Sequence, residues 1–188
     1  MSNTNYVTTG KPKIGGAVYR AVIGTTLPTN ATTELSEDFI SLGYISEDGL
    51  TNENTKETDS IKAWGGETVF VTPTAHEDTF GMTFIEVLNI EVLKTIYGSK
   101  NVKGTLDTGI TINVNGNDIE SYVYVIDMVC RGNVLKRVVI PNGAISEVGE
   151  ISYTDSDAVG YETTITAITD NEGNTHYEYI SKASEDTE

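Results

Sequence analysis

Over much of the chain apolar residues fall at every second position. Phe80, Met82 and Phe84 share one side of an extended segment, and Ile110, Ile112 and Val114 share one side of another. A period of two sends successive side chains to opposite faces, so each segment presents one apolar and one polar face. The pattern predicts short strands at Ala17–Ile23, Asp38–Ser46, Glu67–Thr72, Thr79–Val87, Thr105–Val114, Ile119–Cys130, Val134–Ile140, Ile145–Tyr153, Val159–Ile168 and Thr175–Ile180. Asn115-Gly116, Pro141-Asn142-Gly143 and Asn171-Glu172-Gly173-Asn174 supply the turn residues between them, as expected for hairpins of an antiparallel sheet.

One segment changes period. Asn89 suits a helix N-cap, Glu91 an acidic first turn and Gly98 a left-handed stop, while Val92, Leu93, Ile96 and Tyr97 share a face. A short helix over about 89–98 laid on a sheet follows. The expected class is mainly β: an antiparallel β-sandwich or barrel with one short flanking α-helix. Residues 17–180 form the predicted domain, between a flexible polar arm at 1–16 and an acidic, disordered tail at 181–188.

Composition agrees with β-structure and limits the partners. The chain has 188 residues, rich in Thr, Asn, Ser, Gly and Tyr, and a net charge of −16. A charge of that sign opposes any grip on nucleic acid that works by neutralising phosphates. Its distribution is uneven: residues 1–33 hold Lys11, Lys13 and Arg20 and no acid, leaving nine bases against 28 acids, or −19, for the rest. A basic leading arm precedes an acidic body. A single cysteine, Cys130, excludes a disulfide within the chain and is expected to be an inert, buried thiol. No stretch reads as a secretory signal or an 18-residue apolar span, so a soluble protein without membrane contact is expected.

Candidate chemistry is sparse. His76 and His176 have no cysteine or carboxylate partners at metal-site spacing and read as surface or turn residues. Asp155, Asp157 and Glu162 stand close together without the full spacing of a calcium loop. Glu34, Glu37, Asp38, Glu47, Asp48, Glu53, Glu57 and Asp59 could supply a carboxylate pair, but the aromatics do not gather around them, and a solvated acidic surface is the simpler reading. Asn30-Ala31-Thr32 matches a glycosylation acceptor and has no consequence without secretion. No cofactor, metal, small-molecule substrate or catalytic residue is predicted.

Interaction surface remains. Ser46–Ile61 is nearly devoid of apolar residues and reads as a long loop, flanked by Tyr44 at one foot and Trp64 at the other. Loops of that length inside a compact domain are usually functional or disordered. Trp beside glycines suits a contact anchor, so Trp64 is expected to brace the base of a partner-binding loop, with ordinary core packing as the alternative.

The segments "LGYISEDGLTNENT", "SIKAWGGETV", "FGMTFIEVLNIEVLKTIYG" and "KRVVIPNGAISEVGEISYTDSDAVGYETTITAI", in that order, resemble the major tail protein, or tail tube protein, of long-tailed phages and prophages, particularly those of Gram-positive hosts. The resemblance runs from about residue 14 to 180 and implies a structural virion protein of the tail, assembled in the bacterial host cytoplasm. It implies six copies in a ring, rings stacked as a tube through which DNA is ejected without specific binding, and tape measure, tail terminator and distal tail proteins as partners. By position it places subunit contacts on the long loop Ser46–Ile61, with Glu47, Asp48, Glu53, Lys56, Glu57 and Asp59, and on the arm before Ala17. The acid-free leading segment adds Lys11, Lys13 and Arg20 as bases expected to dock on an acidic surface of a neighbouring subunit, and the aromatics at the loop's feet add Tyr44 and Trp64 as contact candidates. Another ring-forming tail component, such as a terminator or a contractile or secretion tube, and a carbohydrate-binding β-sandwich are the alternative readings.

Overall fold

The computed structural model describes residues 2–13 and 16–183. Its strands are β1 (Lys11–Pro12), β2 (Val18–Val22), β3 (Ile40–Ser41), β4 (Thr51–Lys62), β5 (Thr68–Phe84), β6 (Val102–Lys103), β7 (Thr111–Ile112), β8 (Tyr122–Cys130), β9 (Val134–Val148), β10 (Tyr161–Ala167) and β11 (Tyr177–Lys182), with one helix, α1 (Ile90–Tyr97). The fold is mainly antiparallel β with one short helix, as the alternation predicts. The main sheet runs β3-β2-β8-β9-β10-β5-β4, with β1 on β8 and β11 on β9; β6 and β7 form a separate pair.

The sheet closes on itself. After β3 leaves the edge of β2, Ile45 bridges Phe84 at the end of β5, with Ser46 N–H donating to Thr83 O (2.9 Å) and Ile85 N–H to Tyr44 O (3.2 Å). Segment 40–46 therefore joins the two margins of the sheet into a barrel. Inside lie Val18, Phe80, Met82, Phe84, Tyr124, Ile126, Ile140 and Ile165, stoppered by Val92, Leu93 and Ile96 of α1. The helix begins where Asn89 Oδ1 accepts from Glu91 N (3.0 Å) and ends at Gly98, whose φ of 88° suits glycine.

Strand β8 is buried on both faces, which explains its unbroken apolar run. Tyr122, Tyr124 and Ile126 look into the barrel, whereas Val123 and Val125 join Ala21, Phe39 and Val139 in a second core beneath Leu27 and Leu35. That outer layer is pinned by a buried ion pair. Arg137 donates through Nε to Asp127 Oδ1 (2.6 Å) and through Nη2 to Oδ2 (2.8 Å), and its Nη1 donates to the carbonyls of Asn30 (3.1 Å) and Thr33 (2.8 Å).

Several sequence expectations are corrected. The segments expected at Glu67–Thr72 and Thr79–Val87 belong to one strand, β5, which ends at Phe84, and those expected at Val134–Ile140 and Ile145–Tyr153 merge into β9, which ends at Val148, so 149–153 are not strand. Pro141-Asn142-Gly143 is not a turn: Tyr124 opposes Ile140 while Tyr122 opposes Gly143, so β9 carries one extra residue there, a bulge that accommodates a proline without a ladder N–H. Gly143 is required by packing, since a Cβ at that position would lie 2.7 Å from the Tyr124 ring. Thr105–Val114 shrinks to β7, because the chain folds back at Gly104 (φ 89°), and Val114 is exposed. Asn115-Gly116 lies in a loop leading to β8, since β7 pairs backwards with β6. Asn171–Asn174 does form a turn, but β10 and β11 pair in succession with β9 and not with each other.

Of the leading arm, β1 pairs with Met128 and Val129 of β8, and Thr8 Oγ1 accepts from Arg131 N (2.8 Å). β11 runs through Lys182, two residues into the expected tail, and 184–188 lie outside the described residues.

Truncating one partner of a buried ion pair leaves the other charge uncompensated. Asp127→Ala is expected to lower the free energy of unfolding by about 3–5 kcal/mol, read from urea titration. A loss below about 1 kcal/mol would show that the pair does not anchor the outer layer.

Candidate functional site

The largest departure from the expected loop is also the most exposed element. Residues predicted as the structureless stretch 46–61 form, from Thr51, the strand β4, paired residue by residue with β5 from Thr51↔Gly81 to Lys62↔Thr68. All twelve residues of β4 and the first ten of β5 are exposed, so the pair projects from the barrel as a two-stranded ribbon. At about 3.3 Å per residue, β4 spans about 40 Å. Bulges at Glu57/Thr58 and Ile61/Lys62 strengthen its twist.

Trp64 occupies the ribbon's tip and not its base. Ala63 N–H donates to Glu67 O (2.7 Å) and Gly66 N–H to Ala63 O (2.9 Å), closing a turn in which Gly65 (φ 121°) and Gly66 (φ 95°) adopt left-handed conformations. The indole is 107% exposed, which removes both the bracing role and the core-packing alternative. Beside it, Ile61 and Phe70 face each other across the strands and share one face, while Val71 opposes Ser60. Ile61, Val69, Phe70 and Val71 are each more than half exposed. Val69 and Val71 lie on the face opposite Ile61 and Phe70, so both faces of the ribbon near its tip carry exposed apolar side chains.

Most of the residues singled out from sequence fall on this element or at its root. Glu53, Lys56, Glu57 and Asp59 lie along β4. Tyr44, Glu47, Lys11 and Lys13 line one groove where the ribbon leaves the barrel, and Asp48 accepts there from Ser46 Oγ (3.2 Å). Arg20 is the exception. It is buried within its own subunit, its Nη2 donating to Glu91 Oε2 (2.7 Å) and its guanidinium 4.2 Å from the Tyr122 ring centroid, so it is corrected from a contact residue to a core one. Cys130 is half-buried at the end of β8 and not fully enclosed as expected.

The sequence reading missed the polar latch at the root. Asp78 is the first inward-facing residue of β5, and its buried Oδ2 accepts from Thr175 Oγ1 (2.5 Å) and contacts His176 Nδ1 (2.5 Å), while Oδ1 accepts from Asn52 Nδ2 (2.8 Å). One carboxylate thus ties both strands of the ribbon to the connection before β11. His176, expected at the surface, instead sits edge-on to Phe80 at 5.2 Å, whereas His76 is exposed on the ribbon and meets Asn54 Oδ1 (3.0 Å). Burial pushes the Asp78 carboxyl up, but the hydrogen bonds from Thr175, Asn52 and His176, with the imidazole's charge, outweigh it and hold the group below its ordinary value. Phe70 and its neighbours were missed as surface residues because "TVFV" reads as an ordinary half-buried strand. No local signal marks Asp78, whose partners lie 26 and 97 residues away in sequence.

Among the described residues, no group of three or more histidine, cysteine or acidic side chains is placed to hold a metal ion, and no helix is long and apolar enough to cross a membrane. Asp155, Asp157 and Glu162 form no such group. The arrangement offers extended, apolar-tipped contact surface.

The chain matches the phage tail tube protein family over residues 2–188, and it belongs to that family, whose members are structural components of the virion tail. Among solved structures, it is similar to a chain of the sheath–tube complex of an extracellular contractile injection system, PVC, in its extended state, at 9% identity and a TM-score of 0.46, covering 91% of this chain and 93% of that one. No curated protein matches it.

Two measurements check the site. Trp64→Ala is expected to change the free energy of unfolding by less than about 0.5 kcal/mol, as an exposed substitution does, and a loss above about 2 kcal/mol in urea titration would place the indole in a packed environment. Because the Asp78 pKa is depressed on folding, its contribution is present above the unfolded value of about 3.9 and is lost as pH falls through the folded value. Asp78→Asn should therefore lower stability by about 1–3 kcal/mol at pH 7, with the gap to the parent protein closing as pH is lowered below about 4. A gap independent of pH would show that the carboxylate charge contributes nothing.

Proposed function

We propose that copies of this chain close into hexameric rings and that the rings stack as the wall of a phage tail tube, the conduit through which genomic DNA is ejected. The role is structural and not enzymatic. The observation that carries it is the exposed ribbon, a two-stranded element marginal by itself and tipped with apolar residues, in a member of the tail tube family. The outer edge of β4 has no partner strand among the described residues, and neither does that of β11. Unpaired edges of this kind invite pairing with other chains, and ring closure limits that pairing to identical neighbours.

The charge suits a conduit. Six copies carry six times −16, and acids facing the bore would repel phosphate oxygens within the Debye length of about 8 Å, so DNA would pass without adhering. The same charge opposes assembly and has to be met at the contacts. Lys11 and Lys13 on the exposed arm, Tyr44, Glu47 and Asp48 at the ribbon root, Glu53, Lys56, Glu57 and Asp59 along it and Trp64 at its tip are the residues assigned to subunit contacts. Tape measure, tail terminator and distal tail proteins are the other partners, and assembly takes place in the host cytoplasm, within reach of the tape measure protein.

Negative-stain electron microscopy of the purified chain over rising concentration is expected to show hollow tubes. Discrete rings that never lengthen would indicate a terminator, and a monomer at every concentration would overturn the reading. Removal of residues 1–13 is expected to shorten or abolish the tubes while far-UV circular dichroism stays unchanged; tubes of normal length would remove the arm from the contacts.

A further inference from the structure

The chain contains two Asn-Gly pairs, and the fold sets them in opposite surroundings. Asn115-Gly116 is exposed in the loop between β7 and β8, whereas Asn142-Gly143 lies within β9 at its bulge. An asparagine before a glycine is open to attack on its own side chain, because glycine has no Cβ to shield the backbone nitrogen that follows. That reaction needs a free backbone nitrogen, a side chain folded back towards it, and a donor for the oxygen on which charge develops.

Asn115 has all three. Among the described residues, Gly116 N–H has no hydrogen-bond partner. Asn115 Oδ1 accepts from Asn117 N–H (3.0 Å), an Asx turn that curls the carboxamide over the peptide bond to Gly116. The same N–H is aimed at the oxygen that becomes anionic on attack. Asn115 Nδ2 donates to Asn101 Oδ1 (2.9 Å) and to Asn113 O (3.4 Å), which fixes the side chain in that orientation. Asn142 is held in the opposite way. Gly143 is paired with Tyr122 of β8 and Ala167 of β10, and Asn142 O accepts from Ile168 N (2.8 Å), so the backbone stays extended between two strands.

We propose that Asn115 is a site of spontaneous deamidation, and that its conversion unclips the loop 113–117 from the end of α1. Gly116 N gives its proton to hydroxide and its electron pair forms a bond to Asn115 Cγ. The Cγ–Nδ2 bond breaks, and Nδ2 takes a proton from water and leaves as ammonia. Water then opens the cyclic imide, at the side-chain carbonyl to give aspartate or at the backbone carbonyl to give isoaspartate. The net change is water consumed and ammonia released, with no oxidation or reduction.

The consequence reaches the helix through Asn101. Its Nδ2 donates to Tyr97 O (2.7 Å) at the last residue of α1, while its Oδ1 accepts from Asn115. A carboxylate at position 115 has no proton to give Asn101 Oδ1, and turning the Asn101 amide would set its oxygen against Tyr97 O. Either way the clip is lost, and each conversion adds a negative charge to a chain already at −16. The step is irreversible, so the modified fraction grows with the age of the protein.

Peptide mapping by mass spectrometry tests the site. In the folded full-length chain held at mildly alkaline pH, Asn115 is expected to convert at least about tenfold faster than Asn142, which has to leave the sheet before it can react. In concentrated urea the two are expected to convert at similar rates. The native rate at Asn115 should fall about tenfold for each unit by which the pH is lowered, as the deprotonated fraction of the attacking amide does. Gly116→Ala adds a Cβ with nothing within 4 Å, so it is expected to slow the conversion while leaving the urea midpoint unchanged. Asn115→Asp, which reproduces one product, is expected to weaken hydrogen-exchange protection of Asn113 N–H, which donates to Asn101 O (2.9 Å). A folded chain in which Asn115 reacts no faster than Asn142, or a Gly116→Ala chain that reacts as fast as the parent, would overturn the site. Unchanged protection in Asn115→Asp would overturn the unclipping alone.

Discussion

Everything outside the barrel depends on the continuity of β5. Its last six residues pair with β10 and bury Phe80, Met82 and Phe84, each worth about 1.5–3 kcal/mol of apolar transfer. Its first ten residues are exposed and, among the described residues, pair with no strand but β4. A free two-stranded ribbon is marginal in water, so the order of the projecting part is inherited from the buried part through one unbroken backbone. Asp78 stands at the junction, where the strand passes from solvent into the barrel, and its carboxylate gathers Asn52 from β4 and Thr175 and His176 from the chain before β11. The direction of the ribbon is therefore tied to the wall of the barrel by hydrogen bonds as well as by the ladder.

Two buried charge sites order the rest by the same principle. Arg137 and Asp127 satisfy each other in bidentate geometry, and the remaining guanidinium N–H groups reach the carbonyls of Asn30 and Thr33, holding the long connection between β2 and β3 over the second core. Arg20 does the corresponding work for the helix, joining β2 to Glu91 in the first turn of α1 while Glu91 also accepts from Lys94 (2.7 Å). Of the exposed lysines, Lys11 and Lys13 stand at the ribbon root and Lys56 and Lys62 along the ribbon, where they can answer acids of another copy of so acidic a chain.

Membership of the tail tube family and the projecting ribbon point the same way, for a physical reason. A subunit that is to form a wall needs a body that is finished without its neighbours and a surface that is not. The barrel is finished: its margins are joined through Ile45 and Phe84, and its end is filled by Val92, Leu93 and Ile96. The ribbon is unfinished, with no partner strand on its outer edge among the described residues and with an apolar tip.

By itself the sequence determined the class of structure and the bounds on its chemistry. Alternation at Phe80, Met82 and Phe84 specified an inward face, Asn89 and Gly98 delimited the helix, and the excess of acids excluded a phosphate-neutralising grip. Those features are local, and each is written in the spacing of a few residues. Tertiary structure decided whatever depends on a partner distant in the chain. The polar run after Ser46 became a strand because β5 offered it a ladder, and it has no alternating signature because neither of its faces is buried. Trp64 became a tip because that ladder continues to Lys62. Pro141 and Gly143 became a bulge and a packing site because Tyr122 and Tyr124 lie opposite, and Arg20 went inward because Glu91 waited on the helix. Periodicity in a sequence records which face of a strand is buried and so constrains its register where one face is apolar; in a strand polar on both faces, such as β4, it constrains nothing, and the partner strand decides.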